Sequence, residues 1–269
     1  MGDLAVLRRT ILQLDRVVVA FSGGADSAFL AWVAADTLVA DRMVAATAVS
    51  PSLAPSELAD CERLAGEWGM RWLPVETREL DRPEYVANGG DRCYHCKAEL
   101  MDTLAPLAAG MDATVVLGVN LDDLGDHRPG QKAAAERGAR FPLVESGFTK
   151  SDVREASRRL GLWTWDKPAG ACLASRLPYG TPVTVGRLES VAAAEAGLRR
   201  LGFTQLRVRH YGDLARIELP DADLAAAVSC KDELVAAVQA AGYRYVTLDL
   251  QGFRSGNLNR ALGAIGRLT

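Results

Sequence analysis

The run Val17-Val18-Val19-Ala20-Phe21 is apolar at every position, as expected of a strand buried on both faces. It breaks into Ser22-Gly23-Gly24, and helically spaced apolar positions then extend to about Val39. A helix over about Leu4–Leu14 precedes it. The alternation repeats: strand near Met43–Val49, helix near Pro55–Trp68, strand near Trp72–Glu76, helix near Cys93–Leu107, strand near Thr114–Val119. Strands separated by helices predict a parallel sheet covered on both faces. The loops leaving the strand ends then gather along one edge, where ligands bind.

Another helix is predicted over Thr149–Leu160, opened by Thr149 with Ser151 and Asp152 close behind. From Trp163 to Pro182 the chain is irregular and punctuated by Pro and Gly, which predicts a domain boundary with residues 1–170 on one side and 171–269 on the other. Beyond it come a helix near Val185–Leu201, strands at Gln205–His210 and Leu214–Leu219, helical stretches within Asp221–Ala241 and a strand at Tyr243–Leu250. That is a small α+β domain following an α/β domain.

The 269 residues carry 31 Lys and Arg against 34 Asp and Glu, with three His, a formal charge of −3 and a pI near 5.7. No Lys/Arg-rich stripe is present, which argues against a nucleic-acid partner. At 49% hydrophobic and 24% charged, the composition is that of a folded globular chain. No apolar run approaches the ~20 residues of a membrane span. The N-terminal residues lack a signal-peptide pattern. The expected location is the cytoplasm, without membrane contact.

Ser22-Gly23-Gly24-Ala25-Asp26-Ser27 lies between a buried strand and a helix, so its amides can converge on an anion while the helix N-terminus adds partial positive charge. Phosphate is the natural occupant. Gly23 and Gly24 let the backbone approach closely, and Ser22 and Ser27 can donate hydroxyls. Asp26 would repel the anion, which points to a bridging Mg²⁺. The loop lacks the Lys of a Walker A sequence and the glycine spacing of a dinucleotide fold. It closely resembles the pyrophosphatase loop of the N-type ATP pyrophosphatases, which cleave ATP between the α and β phosphates, adenylate a substrate oxygen and let a nucleophile displace AMP.

Five cysteines stand at positions 61, 93, 96, 172 and 230, too few for a disulfide scaffold. Cys93 and Cys96 in Arg92-Cys93-Tyr94-His95-Cys96-Lys97 share one face of a helix. Cys172 lies in Gly170-Ala171-Cys172-Leu173-Ala174-Ser175-Arg176. Three readings stand side by side: a structural zinc site completed by His95 or His127, a redox disulfide at Cys93 and Cys96, and an iron–sulfur cluster on three cysteines with one iron open. Cys61 and Cys230 are expected to be packing residues far from these segments.

Four motifs in order, Ser22–Ser27, Arg92–Lys97, Gly118-Val119-Asn120-Leu121-Asp122-Asp123-Leu124-Gly125-Asp126-His127-Arg128-Pro129-Gly130 and Ala171–Gly180, resemble the LarE family, the sulfur transferases of nickel-pincer nucleotide biosynthesis. The resemblance spans about residues 15–250. It implies a PP-loop ATP pyrophosphatase domain (adenine nucleotide alpha hydrolase-like) at 1–170 and a substrate-binding, oligomerising domain at 171–269. The implied reaction adenylates the carboxylates of pyridinium-3,5-biscarboxylic acid mononucleotide with MgATP and converts each to a thiocarboxylate. One branch of the family sacrifices the sulfur of a single cysteine in the position of Cys172. Another has three cysteines and holds a 4Fe–4S cluster carrying an extra sulfide; Cys93, Cys96 and Cys172 place this chain with the second branch.

Asp126 is the expected second Mg²⁺ contact beside Asp26, and Arg128 faces a phosphate or substrate carboxylate. Ser175 and Arg176 follow Cys172, where a guanidinium can grip substrate. Arg207 and Arg209 alternate along a strand and share a side; on residues alone such a pair is a solvated face, whereas the resemblance makes it a clamp for the nucleotide phosphate. Glu195 matches an acidic position of the family's site; for Lys97, four residues past Cys93, two readings stand, a charge that screens the adenylate and a simply exposed side chain. A homo-oligomer is the expected assembly. The competing readings are a tRNA thiolase of the same superfamily, an amidating ligase and a non-catalytic nucleotide or metal sensor.

Overall fold

The computed structural model describes residues 2–125, 129–168 and 170–254. Two compact units divide the chain: residues up to Tyr85 together with Asp91–Gly170, and Val86–Gly90 together with the residues from Ala171 on. The short segment joins the second unit through backbone satisfaction. Asn88, fully buried at φ +55°, donates its side-chain amide to the carbonyls of Pro178 and Thr181, each at 2.8 Å, and Val183 N–H donates to the Val86 carbonyl.

The first unit runs α1 (Leu4–Leu14), β1 (Val17–Ala20), α2 (Ala25–Thr37), β2 (Met43–Val49), α3 (Pro55–Glu67), β3 (Trp72–Glu76), α4 (Pro83–Val86), α5 (Arg92–Met111), β4 (Thr114–Leu117), α6 (Pro129–Glu136), α7 (Pro142–Glu145) and α8 (Lys150–Arg159), with α4 ending at the boundary. The sheet is parallel in the order β3-β2-β1-β4. The apolar run of β1 divides between two cores. Val17 and Val19 pack with Leu7, Phe29, Leu30, Leu64 and Val153 on one face; Val18 packs with Leu100, Met101, Leu104 and Leu117 on the other. Because β2 and β4 flank β1 on opposite sides, the chain switches direction between β1 and β4. The crevice beyond their C-terminal ends is where such sheets bind ligands.

The helix predicted to end near Leu107 continues to Met111 through Pro106. Three short helices, α4, α6 and α7, carry no apolar periodicity long enough to read from the sequence. The second unit contains α9 (Val185–Arg200), β5 (Arg207–Tyr211), β6 (Leu214–Glu218), α10 (Leu224–Ser229), α11 (Lys231–Gln239) and β7 (Tyr245–Leu248), with a 3-10 turn at Leu173–Arg176. Strands β5 and β6 are antiparallel, and β6 and β7 parallel. Val208, Ala215 and Ile217 face α9 and α11 across a core closed by Leu198, Phe203 and Val238. No helix among the described residues is long and apolar enough to cross a membrane.

Candidate functional site

The loop after β1 turns tightly onto the start of α2. Gly23 adopts φ +68°, and a side chain there would meet Cys61 Sγ at 2.9 Å, so the position requires glycine on two counts. Ser22 N–H donates to Ser27 Oγ at 3.2 Å, the two hydroxyls lie 3.1 Å apart, and Ser27 Oγ donates to the Gly24 carbonyl. Gly24 caps α2 without a side chain, which leaves the amides of its first turn for a ligand. Cys61 is a buried core residue, as expected, and its sulfur lies directly under the loop. Burial holds its thiol protonated, with the pKa pushed up to about 11.

The loop after β4 closes against the same helix end. At Gly118 a Cβ would stand 2.7 Å from Ser27 N and 2.8 Å from the Asp26 carbonyl carbon, so only glycine admits this contact. Asn120, buried, donates to Asp26 Oδ1 at 3.2 Å, and Lys150 Nζ lies 2.5 Å from Asp26 Oδ2. The charge of Asp26 is thus balanced by an ammonium, and its presence does not by itself demand Mg²⁺. Asp126 and Arg128, together with His127, lie outside the described residues.

Cys93 and Cys96 occupy the first turn of α5, Cys93 exposed and Cys96 half-buried. His95, between them, pairs with Asp91 at 3.1 Å, and Tyr94 bonds Glu136 of α6 at 2.6 Å. Helix α6 approaches this turn because Gly130 has no side chain: a Cβ there would meet the Cys93 carbonyl oxygen at 2.9 Å and Lys97 Cγ at 3.0 Å. All five cysteines are free thiols. Cys93 and Cys96 present two thiols, soft donors of the kind that suit an iron–sulfur cluster. Within the described residues no three His, Cys, Asp or Glu side chains are gathered as a metal-holding group.

In the second unit, Cys172 begins a turn pinned from beneath by Arg176. Nη1 of Arg176 donates to the carbonyls of Ala171 at 2.7 Å and Cys172 at 3.3 Å and to Ser175 Oγ at 3.0 Å. Its Nε and Nη2 form a paired contact with Glu195 at 2.8 and 3.2 Å. Glu195 is fully buried and also accepts from Arg199 at 3.2 Å and Val208 N–H at 3.2 Å. Its oxygens are committed to holding this arrangement.

Arg207 and Arg209 share one face of β5, as their spacing predicted, yet both are buried and not on a solvated surface. Arg209 bonds Glu218 at 2.9 Å and the Ser175 carbonyl at 2.8 Å. Arg207 stacks on Phe253 at 4.6 Å, with Glu218 and Glu195 near enough to oppose in part the repulsion from Arg176 and Arg209. Burial first, then repulsion from Arg176 and Arg209, lowers its pKa to about 10. A buried guanidinium next to two others gains from an arriving anion.

No protein-family model matches the chain. It is 51% identical over 264 residues to an uncharacterized protein of Synechocystis, covering 97% of this chain and 98% of that one. It is also 40% identical over 267 residues to pyridinium-3,5-bisthiocarboxylic acid mononucleotide synthase of Lactiplantibacillus plantarum, covering 97% of each. The chain belongs to the LarE family. An uncharacterized protein of Methanocaldococcus jannaschii is more distant, 25% identical over 241 residues. In this LarE family member the parallel sheet carries the Ser22–Ser27 loop at its switch point, and the buried Arg–Glu network supports the Cys172 turn. Sequence reading missed Lys150 and Asn120 at the loop. The available signal was a lysine opening α8, where a helix dipole disfavours positive charge.

Proposed function

We propose that this chain is an ATP-dependent sulfur transferase that converts the carboxylates of pyridinium-3,5-biscarboxylic acid mononucleotide to thiocarboxylates. The observation that carries the reading is the relationship to the Lactiplantibacillus plantarum synthase along nearly the whole chain, joined to a phosphate cradle at the sheet's switch point. A carboxylate is a poor electrophile. Attack of its oxygen on the α phosphate of ATP releases pyrophosphate and leaves an acyl-adenylate; sulfide then attacks the acyl carbon, and AMP departs with that oxygen. The amides of Gly23 to Ser27 hold the phosphates, and Asp26 with Asp126 would take the Mg²⁺ that accompanies them.

Cys93, Cys96 and Cys172 would hold a 4Fe–4S cluster. When bound, it supplies sulfide at its open iron, so that the protein turns over repeatedly without consuming Cys172. Arg207 receives the substrate phosphate with Arg209 beside it, Ser175 and Lys97 contact substrate, and Arg128 pairs with its carboxylate or phosphate. Arg176 and Glu195 act by fixing the Cys172 turn. The protein works in the cytoplasm as a homo-oligomer on a small nucleotide, without nucleic acid.

Incubation with MgATP and the biscarboxylic nucleotide tests this. AMP and pyrophosphate should appear only when that nucleotide is present, and Asp26→Ala should abolish them. Release that ignores the nucleotide refutes the reading, and release driven by tRNA instead favours the thiolase.

A further inference from the structure

Helix α3 meets a different partner on each of two sides. On one, Cys61 and Leu64 lie under the phosphate loop: a side chain at Gly23 would meet Cys61 Sγ at 2.9 Å and Leu64 Cδ1 at 3.8 Å. On the other, the stretch Trp163–Lys167 runs back along the helix. Trp163 Nε1 donates to Glu67 Oε2 at 2.9 Å, and the Arg63 guanidinium stacks over the Trp163 ring at 4.1 Å. Nearer the start of α3, Lys167 Nζ donates to Glu57 Oε2 and to Asp60 Oδ2, each at 2.8 Å. Glu57, Asp60, Arg63 and Glu67 follow one another at helical spacing, so one side of α3 is given over to holding this stretch. At Gly170 a side chain would meet Glu57 Oε1 at 3.1 Å.

The Lys167 side chain is only 11% exposed. Burial opposes its charge, yet hydrogen bonds to Asp60 and Glu57 raise its pKa above the ordinary lysine value, and it stays an ammonium. Such a buried ion pair contributes little net stability, because desolvation offsets the attraction. What it does supply is a fixed point on the chain. Cys172 stands five residues beyond Lys167, a contour of at most about 18 Å.

We propose that Lys167 is a positioning residue for sulfur transfer: tied to Glu57 and Asp60, it fixes the point on α3 from which the chain departs toward Cys172. The assignment rests on the sulfur-transfer reading above and adds a residue to it. Adenylation uses the phosphate loop and the substrate, and does not call on this tie. Attack of sulfur on the acyl carbon does, because a misplacement of about 1 Å between reacting groups costs about 100-fold in rate. Lys167 therefore acts through the segment it holds and not on the nucleotide.

The two half-reactions separate when the reconstituted full chain is given MgATP and the biscarboxylic nucleotide with either sulfide or hydroxylamine. Hydroxylamine takes the acyl group from the adenylate as a hydroxamate and frees AMP, so it reports adenylation alone. Lys167→Met should form hydroxamate within about twofold of wild type while thiocarboxylate formation falls by about 10- to 100-fold. Lys167→Arg should restore part of the loss. Amide hydrogen exchange should quicken over Trp163–Lys167 and stay unchanged at Ser22–Ser27. Equal loss of hydroxamate and thiocarboxylate, or quickened exchange at the loop as well, would make Lys167 a support of the fold and overturn the proposal. Should Lys167→Met not fold, Lys167→Gln carries the same comparison. Wild-type protein that forms no hydroxamate would bring down the adenylation reading and this proposal together. Wild-type formation of both products, matched by the variant, would remove this proposal alone.

Discussion

Glu195 offers the most searching perturbation of the second unit. Its carboxylate is fully buried and receives Arg176 through two nitrogens, Arg199 and the Val208 amide. Glu195→Ala leaves the Arg176 guanidinium buried without its counter-charge, a change that costs about 3–5 kcal/mol. Arg199 is one-third exposed and adds little to that figure. Against a typical stability of about 5–15 kcal/mol, the loss is a third or more. Glu195→Gln keeps the volume and one acceptor but turns an amide N–H toward a donor, and should cost about 1.5–3 kcal/mol. All five tryptophans, at 32, 68, 72, 163 and 165, belong to the first unit, so tryptophan fluorescence is blind to this effect. Amide hydrogen exchange is the assay, read at Val208 and its β5 neighbours. Protection should fall in the order wild type, Gln, Ala, and thiocarboxylate formation should fall with it as the Cys172 turn loosens. Glu195→Ala with protection within about 1 kcal/mol of wild type and no activity would refute the reasoning, because Glu195 would then act on substrate directly.

Three further outcomes follow from other parts of the molecule. Gly118→Ala should lose about 1–3 kcal/mol by denaturant unfolding and weaken ATP binding, since its methyl group meets the backbone of Asp26 and Ser27; unaltered affinity would show that the two loops need not touch. Burial, then the charge of Arg187, lowers the pKa of His210. The unfolded chain therefore binds a proton that the folded chain resists, and stability falls as pH drops below about 6.5. Exchange protection in β5 should decline between about pH 7 and about pH 5 more steeply in wild type than in His210→Gln, and identical slopes would contradict this. In chelated protein, iodoacetamide should modify exposed Cys93 rapidly and spare Cys61, which is buried with a pKa of about 11; equal rates would place Cys61 outside the loop's underside.

The first unit was legible because its signals are local. An all-apolar β1 could only be a doubly covered strand, and the positive φ expected of the glycines after it is found at Gly23; the packing of Cys61 beneath Gly23 had no signal in the sequence. The short helices α6 and α7 span too few turns to display a period. Contacts distant in sequence were the other blind spot. Lys150 reaches Asp26 across 124 residues, and no spacing rule connects them. Arg207 and Arg209 were placed on the correct face by alternation, but their burial depends on Glu218, Glu195 and Phe253, which come from separate elements.

The sulfur transfer itself is tested most directly by mass spectrometry of the nucleotide product after anaerobic incubation of reconstituted protein with MgATP, sulfide and the biscarboxylic nucleotide. The account predicts replacement of oxygen by sulfur at both carboxylates, one AMP per replacement, and more product than protein chains, with about four irons per chain and with repeated turnover lost in Cys93→Ala, Cys96→Ala and Cys172→Ala alike. Product that stops at one sulfur per chain and needs only Cys172 would contradict the cluster and identify a self-consuming donor. AMP released without any thiocarboxylate would contradict sulfur transfer altogether.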